Sequence, residues 1–82
     1  MSYYVYILQC NDGTLYTGYT DDPQRRLAVH NSGKGAKYTR ARLPVELVYH
    51  EELADKSSAL KREIEIKKMT RLQKLKLLER EV

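Results

Sequence analysis

The chain has 82 residues, of which 41% are hydrophobic and 32% charged, and its net charge is +4. This length allows one domain with a modest core, and the composition is typical of a soluble globular protein. The longest apolar run, residues 3–8, is too short to cross a membrane. A lone cysteine, Cys10, excludes an internal disulfide and a multi-cysteine zinc site. Since the first residues run directly into a strand-like segment, no signal peptide is expected and the cytoplasm is the expected location.

The first half of the chain predicts a β-hairpin followed by a helix. Residues 3–10 are rich in β-branched and aromatic side chains, and both alternating faces are largely apolar, which predicts a strand covered on both sides. Residues 11–13 form a strong turn signal, and residues 14–19 are the returning strand. A helix is then predicted to begin at Asp22 and to end near Gly33.

The second half predicts one more strand and two more helices. Residues 45–50 alternate as a strand, and residues 55–69 are predicted to be a helix. Thr70 and Gln73 have the spacing of a capping box for a last helix that continues to about Arg80. The order β-β-α-β-α-α predicts an α+β fold in which about three helices flank a small three-stranded antiparallel sheet.

A pair of tyrosines is predicted to share one face of the hairpin. If the loop has three residues, Leu8 lies opposite Tyr16 and Tyr6 lies opposite Gly18, so that Tyr6 and Tyr16 are diagonal neighbours. Gly18 is also expected to leave space where a ligand could reach the sheet. A two-residue loop would separate the two tyrosines, and the general preference of strands for tyrosine is the alternative explanation.

Arg26 and His30 are spaced i,i+4 on the first helix and therefore lie on one side of it. The guanidinium group of arginine is permanently charged and suits a phosphate, and an imidazole can move a proton near neutral pH. An exposed helix face without a function is the alternative.

Glu63 lies within the apolar arc of the second long helix, between Ala59 and Leu60 on a helical wheel. A carboxylate at such a position is costly unless it is paired or coordinates a cation. Lys67, one turn further on, could form a salt bridge with it. The sequence is therefore compatible with two roles for Glu63, as a metal ligand or as a member of an ion pair.

A cationic segment with six basic and no acidic residues lies between Gln24 and Leu43. Such a segment suits the phosphate backbone of a nucleic acid, although a solvated loop is the alternative. The candidate nucleic-acid-binding residues share this segment and are Lys34, Lys37, Tyr38, Arg40 and Arg42.

Over residues 2–77 the chain resembles the GIY-YIG nucleases, and most closely their small stand-alone, uncharacterised bacterial branch. Tyr4-Val5-Tyr6 and Tyr16-Thr17-Gly18 stand where that family carries its two tripeptides. Arg26 and His30 match the family positions on the following helix, and Glu63 matches its metal-binding glutamate. Residues 78–82 are expected to be the end of the last helix or a tail.

The resemblance implies a divalent-metal-dependent endonuclease acting on DNA, or alternatively RNA, in repair or recombination. It implies one Mg²⁺ or Mn²⁺ ion at Glu63 and contact between Arg26 and the scissile phosphate. It also implies that Tyr6, Tyr16 and His30 share positioning and proton transfer.

Three departures from the family pattern support other hypotheses. Tyr4 replaces a glycine, Tyr19 stands where repair enzymes carry a lysine, and no asparagine follows Asn31. The second hypothesis is therefore a nucleic-acid-binding module without turnover. Larger relatives gain affinity from appended domains, so a protein partner could supply targeting here. A third hypothesis is an interaction subunit that docks through leucines of the last helix, although a small domain needs those leucines in its core (Leu72, Leu75 and Leu78).

Overall fold

A computed structural model describes residues 2–79, which form a three-stranded antiparallel sheet with helices on both faces. The strands are β1 (Tyr3–Gln9), β2 (Leu15–Thr20) and β3 (Glu46–Leu53), and the helices are α1 (Pro23–Asn31), α2 (Lys37–Arg40), α3 (Lys56–Lys67) and α4 (Arg71–Glu79). The strand order is β2-β1-β3. The predicted α+β fold is confirmed, with α2 as a single unpredicted helical turn. The predicted helix end at Arg80 and residues 80–82 of the predicted tail lie outside the described residues.

The central strand β1 is covered on both faces, as its two apolar faces predict. Val5 and Ile7 belong to a core with Ala59 and Ile66 of α3. Tyr6 and Leu8, which alternate with these residues along β1, belong to a second core on the other face of the sheet. Leu27 of α1 packs against this second core. The sheet therefore separates two small cores, and the helices that carry candidate site residues approach it from opposite sides.

The hairpin has the three-residue loop that the sequence predicts. The backbone N–H of Cys10 donates to the carbonyl of Thr14 at 2.8 Å, and Gly13 has a φ of 85°, a conformation that favours glycine. In the resulting register Leu8 pairs with Tyr16 and Tyr6 pairs with Gly18. Both tyrosine side chains therefore lie on the same face of the sheet.

Side-chain caps fix the starts of the long helices. Asp22 and Asp55 accept hydrogen bonds from backbone N–H groups in the first turns of α1 and α3. Thr70 and Gln73 form the predicted reciprocal capping box before α4, at 3.2 and 2.9 Å. The polar signals in the sequence therefore mark the helix starts to within one residue.

Two expectations about the apolar helix faces are wrong in part. Ile64 is 52% exposed, so the buried stripe of α3 is narrower than the helical wheel suggests and Glu63 lies at its margin. In α4, Leu77 and Leu78 pack against the core, whereas Leu72 is 65% exposed. Each helix therefore buries only part of its predicted apolar face. Within residues 2–79, no helix is long and apolar enough to cross a membrane.

The space beside Gly18 is filled by the ring of Tyr6, and the expectation that a ligand could reach the sheet there is wrong. A Cβ atom at Gly18 would lie 2.7 Å from Tyr6 Cζ, closer than carbon atoms approach. The glycine therefore allows the tyrosine ring to cross over β2 towards the edge of the sheet.

We expect Gly18→Ala to destabilise the protein by about 1–3 kcal/mol, because the new methyl group overpacks this contact. Urea unfolding measures the change. In a Tyr6→Leu background, which removes the ring, the same substitution should cost much less. Equal costs in the two backgrounds would contradict the assignment of this glycine to the ring of Tyr6.

Candidate active site

The two predicted tyrosines meet at the edge strand β2. The ring centroids of Tyr6 and Tyr16 are 6.4 Å apart, with an interplanar angle of 44°. Tyr6 is only 2% exposed, whereas Tyr16 is half-buried and borders an open cavity. Tyr16 is therefore the member of the pair that a molecule in solvent can reach.

His30, in the last turn of α1, is fully buried beneath these rings. Its Nε2 atom lies 3.0 Å from the hydroxyl of Tyr6, and its ring centroid is 5.3 Å from that of Tyr16. Burial lowers the pKa of His30, and the neighbouring charge of Arg26 lowers it further. The imidazole is therefore held in its neutral form near pH 7.

Arg26 lies one helical turn before His30, on the same side of α1. Within residues 2–79 it forms no ion pair. Burial raises the pKa of the Tyr6 hydroxyl, Arg26 opposes this rise, and the charges of Tyr16 and Glu63 add to it. Arg26 and Glu63 thus both act electrostatically on Tyr6, and the guanidinium keeps its charge available for an anionic ligand.

Glu63 lies on α3, which packs against the face of the sheet opposite to the one that α1 covers. Its side chain is 14% exposed and lies 3.6 Å from the amine of Lys67, which is 52% exposed. Lys67 also lines a cavity of about 250 Å³ together with Tyr16 and Thr17. The carboxylate is therefore largely buried, and the lysine paired with it borders the cavity beside Tyr16.

The donor groups here fit a small hard cation held by one carboxylate. In the part of the chain that the structure describes, no three His, Cys, Asp or Glu side chains converge. The hydroxyl of Thr17 is buried and has no hydrogen-bond partner there, and Glu63 forms no side-chain pair besides the one with Lys67. Mg²⁺ commonly binds to one or two carboxylates, several waters and substrate phosphate oxygens, which suits Glu63.

Some basic residues of the cationic segment form ion pairs with other side chains, and others do not. Lys34, Lys37 and Arg40 are exposed and form no ion pair among residues 2–79. Arg42 instead donates to Asp12 at 3.1 Å and to the carbonyl of Tyr38 at 2.7 Å. Its guanidinium carbon also lies 4.0 Å from the centroid of the Tyr38 ring. Arg42 therefore holds this part of the segment in place, and Lys34, Lys37 and Arg40, like Arg26, remain free to contact a ligand.

Tyr38 extends the aromatic cluster towards solvent. Its ring stacks on Tyr16, with centroids 6.0 Å apart and an interplanar angle of 24°, and it is 39% exposed. The aromatic rings therefore form a continuous row from buried Tyr6 and His30 to the exposed Tyr38. This row connects the cationic segment to the interior of the site.

Thr39 is a site residue that sequence reasoning missed. It is fully buried, and its hydroxyl lies 2.8 Å from Nδ1 of His30. Gly35 packs over the same ring, since a Cβ atom there would lie 2.8 Å from His30 Cγ. Both residues belong to the segment around the unpredicted α2, and no periodicity in the sequence marks either one.

We expect the free energy of unfolding to fall as the pH is lowered from about 7.5 to 5.5, in part because of His30. The pKa of folded His30 lies below its ordinary value, so the unfolded chain binds a proton that the folded chain resists. This stabilisation is complete above the ordinary pKa of about 6.5 and is lost as the pH falls through it towards the folded value. Urea unfolding at a series of pH values measures the slope.

His50 offers a matched control, because it is an exposed histidine on β3. His30→Gln should flatten the dependence of stability on pH, whereas His50→Gln should leave it unchanged. An equally steep slope in wild type and His30→Gln would contradict the burial of a neutral imidazole.

Comparison with known proteins relates this geometry to other chains. The model of the GIY-YIG catalytic domain matches residues 2–76. A UPF0213 protein of Staphylococcus epidermidis is 61% identical over 77 residues, which are 94% of each chain. A UPF0213 protein of Lactiplantibacillus plantarum is 60% identical over 78 residues, covering 93% of this chain and 77% of the relative.

Two solution NMR structures have the same fold. The UPF0213 protein of Bacillus halodurans is 49% identical, with a TM-score of 0.62 over 96% of this chain and 84% of the other. A protein of E. faecalis is 48% identical, with a TM-score of 0.65 and the same coverage. The matched range spans both tripeptides, Arg26, His30 and Glu63. This chain belongs to the GIY-YIG family and has its nuclease fold.

Proposed function

We propose that this chain is a divalent-metal-dependent endonuclease that hydrolyses phosphodiester bonds in DNA. The observation that carries the proposal is the contact of Tyr6, Tyr16 and His30 at the β2 edge, with Arg26 and Glu63 both acting electrostatically on Tyr6. This set contains a free cation, a neutral proton acceptor and a buried carboxylate, which together are sufficient for metal-assisted hydrolysis.

Arg26 would bind the scissile phosphate. An arginine guanidinium presents several donors in one plane, which suits the non-bridging oxygens of a phosphodiester. The lack of an ion pair within residues 2–79 leaves it available. Because negative charge grows on the phosphate during attack, such a contact stabilises the transition state more than the ground state.

Tyr16, Tyr6 and His30 would position the attacking water and receive its proton. Tyr16 borders the open cavity and can orient a water molecule there. Tyr6 lies behind it, and the Tyr6 hydroxyl is hydrogen-bonded to His30 Nε2 at 3.0 Å. A neutral imidazole in this place can accept a proton through the tyrosine, which is the task of a general base near neutral pH.

Glu63 would hold one Mg²⁺ or Mn²⁺ ion. A divalent cation bound there supplies Lewis acidity and offsets charge on the phosphate and the leaving oxygen. Glu63 keeps free lone pairs because Lys67, at 3.6 Å, is beyond hydrogen-bonding distance. The half-exposed lysine can move away into solvent when the carboxylate binds a cation.

A nucleic-acid-binding module without turnover is the second candidate, and the pair between Lys67 and Glu63 favours it. Lys67 already neutralises the carboxylate without any metal. In that case the exposed cations would bind the phosphate backbone and Glu63 would only support the fold. A panel of single-stranded, double-stranded, flapped and branched DNA, with matching RNA, tests both candidates in Mg²⁺ and Mn²⁺.

We expect Glu63→Gln to reduce the rate of single-turnover cleavage by about 10²–10³, as loss of electrostatic stabilisation of a transition state does. Stability should change by less than about 1 kcal/mol, because the lost partner Lys67 remains hydrated. Binding measured in the presence of a chelator should stay the same or tighten slightly, since one negative charge leaves the site.

Glu65→Gln is the matched control, because Glu65 is on the same helix, is 64% exposed and pairs with Arg62. It should leave cleavage unchanged. A Glu63→Gln variant with lower stability and intact cleavage would reject the metal ligand in favour of a structural ion pair. Good binding with no cleavage by the wild-type protein would favour the binding module.

The exposed cations of the segment should set the salt dependence of binding. Reversal of charge at Lys34, Lys37 and Arg40 should weaken DNA affinity and lower the slope of log K against log salt by about one for each lost phosphate contact. Fluorescence anisotropy over a range of salt concentrations measures this slope.

Reversal at three exposed lysines outside the cationic segment gives a control with the same change in net charge (Lys61 of α3, Lys68 just after α3 and Lys76 of α4). This control should alter affinity less and keep most of the slope. If both triple variants have the same slope, net charge alone governs binding, and the cationic segment makes no specific contact.

A further inference from the structure

A buried chain of hydrogen bonds continues beyond the pair formed by Tyr6 and His30. The second imidazole nitrogen, Nδ1, lies 2.8 Å from the hydroxyl oxygen of Thr39. That oxygen is in turn 2.9 Å from the backbone carbonyl of Ala36. Tyr6 is nearly buried, and His30 and Thr39 are fully buried, so water does not compete for these contacts.

The single hydroxyl hydrogen of Thr39 decides the direction of the whole chain. A carbonyl oxygen only accepts, so the contact with Ala36 is a hydrogen bond only if Thr39 donates to it. Thr39 must then accept from His30, which places the imidazole hydrogen on Nδ1. If the hydrogen were on Nε2, Thr39 would donate to Nδ1, and two oxygen atoms would face each other at 2.9 Å without a hydrogen between them.

We infer that Thr39 is a positioning residue that fixes His30 in the tautomer with hydrogen on Nδ1. This leaves Nε2 as an acceptor for the hydroxyl of Tyr6, at 3.0 Å. The inference rests on the proposed function in one respect: this tautomer allows the imidazole to receive a proton through Tyr6, and the other does not.

The residues packed around the imidazole of His30 prevent the ring from rotating out of these two hydrogen bonds. Gly35 packs against the side of the imidazole, where a Cβ atom would lie 2.8 Å from His30 Cγ. Tyr16 packs edge-on against the ring. The backbone N–H of Arg42 donates to the carbonyl of Thr39 at 2.9 Å, so the backbone of Thr39 is held as well. The imidazole therefore has one hydroxyl partner at each nitrogen and no room to turn over.

Side-chain NMR of His30 tests the tautomer without any need for cleavage. Two-bond ¹H–¹⁵N correlations distinguish hydrogen on Nδ1 from hydrogen on Nε2, and His50 provides an internal reference from an exposed histidine in the same spectrum. The wild-type protein should have the Nδ1–H tautomer. Thr39→Val, which keeps the shape of the side chain and removes the hydroxyl, should shift His30 to Nε2–H or to a mixture of tautomers.

Cleavage measured on the same proteins tests the positioning role. Thr39→Val should reduce the single-turnover rate about 10- to 100-fold, which is at or below the smallest contribution typical of a general base, because the imidazole is misoriented and not removed. Thr39→Ser, which restores the hydroxyl, should recover the Nδ1–H tautomer and most of the rate. A spectrum with dispersed signals from both histidines establishes that each variant is folded.

Three results would overturn the inference: an Nε2–H tautomer in the wild-type protein, an unchanged tautomer in Thr39→Val, or a shifted tautomer with an unchanged rate. A wild-type protein that cleaves no substrate rejects the proposed function instead. The NMR result then still decides whether Thr39 sets the tautomer of His30.

Discussion

The arrangement of the site depends on one buried hydrogen bond, between the hydroxyl of Tyr6 and the imidazole of His30. Leaving either group buried without a partner would cost about 1–3 kcal/mol, so each fixes the other. Two glycines make room for the pair: Gly18 lies against the tyrosine ring and Gly35 against the imidazole. A methyl group at either glycine would overlap the ring that packs against it. The bond joins the central strand to α1, and the other candidate side chains are arranged around it.

An edge strand allows side chains from both faces of the sheet to meet. β2 has a neighbour only on one side, so Arg26 can approach from α1 on one face while Glu63 approaches from α3 on the other. Deep inside a wider sheet, the strands themselves would separate these two charges. The edge also keeps Tyr16 accessible while Tyr6 stays buried. One aromatic cluster therefore contains both a tyrosine that solvent can reach, Tyr16, and a proton acceptor that is shielded from water, His30.

Several features of the fold could be predicted because they depend on local properties of the sequence. Turn and capping residues indicated the hairpin register and the helix starts. Period-two alternation along the strands then put the two tyrosines on one face of the sheet. Which loop cations are free could not be predicted. Arg42 is held by Asp12, thirty positions away in the chain, and only the tertiary fold reveals that contact. The exposure of Ile64 likewise depends on how narrow a sheet α3 covers. Thr39 was missed because a one-turn helix between Gly35 and Pro44 has no periodicity, and its role depends on a histidine from another element.

The position of Thr39 connects binding to chemistry in the proposed enzyme. It lies in α2 between Lys37 and Arg40, two of the exposed cations that would contact the phosphate backbone. The same four residues therefore present charge to solvent on one side and orient His30 on the other. A shift of α2 would move the hydroxyl of Thr39 away from Nδ1, and a change of about 1 Å is enough to weaken such a bond severely. Contacts between the cations and a correctly seated backbone would hold α2 in place. The site would then have its proton acceptor correctly oriented when a nucleic acid is bound.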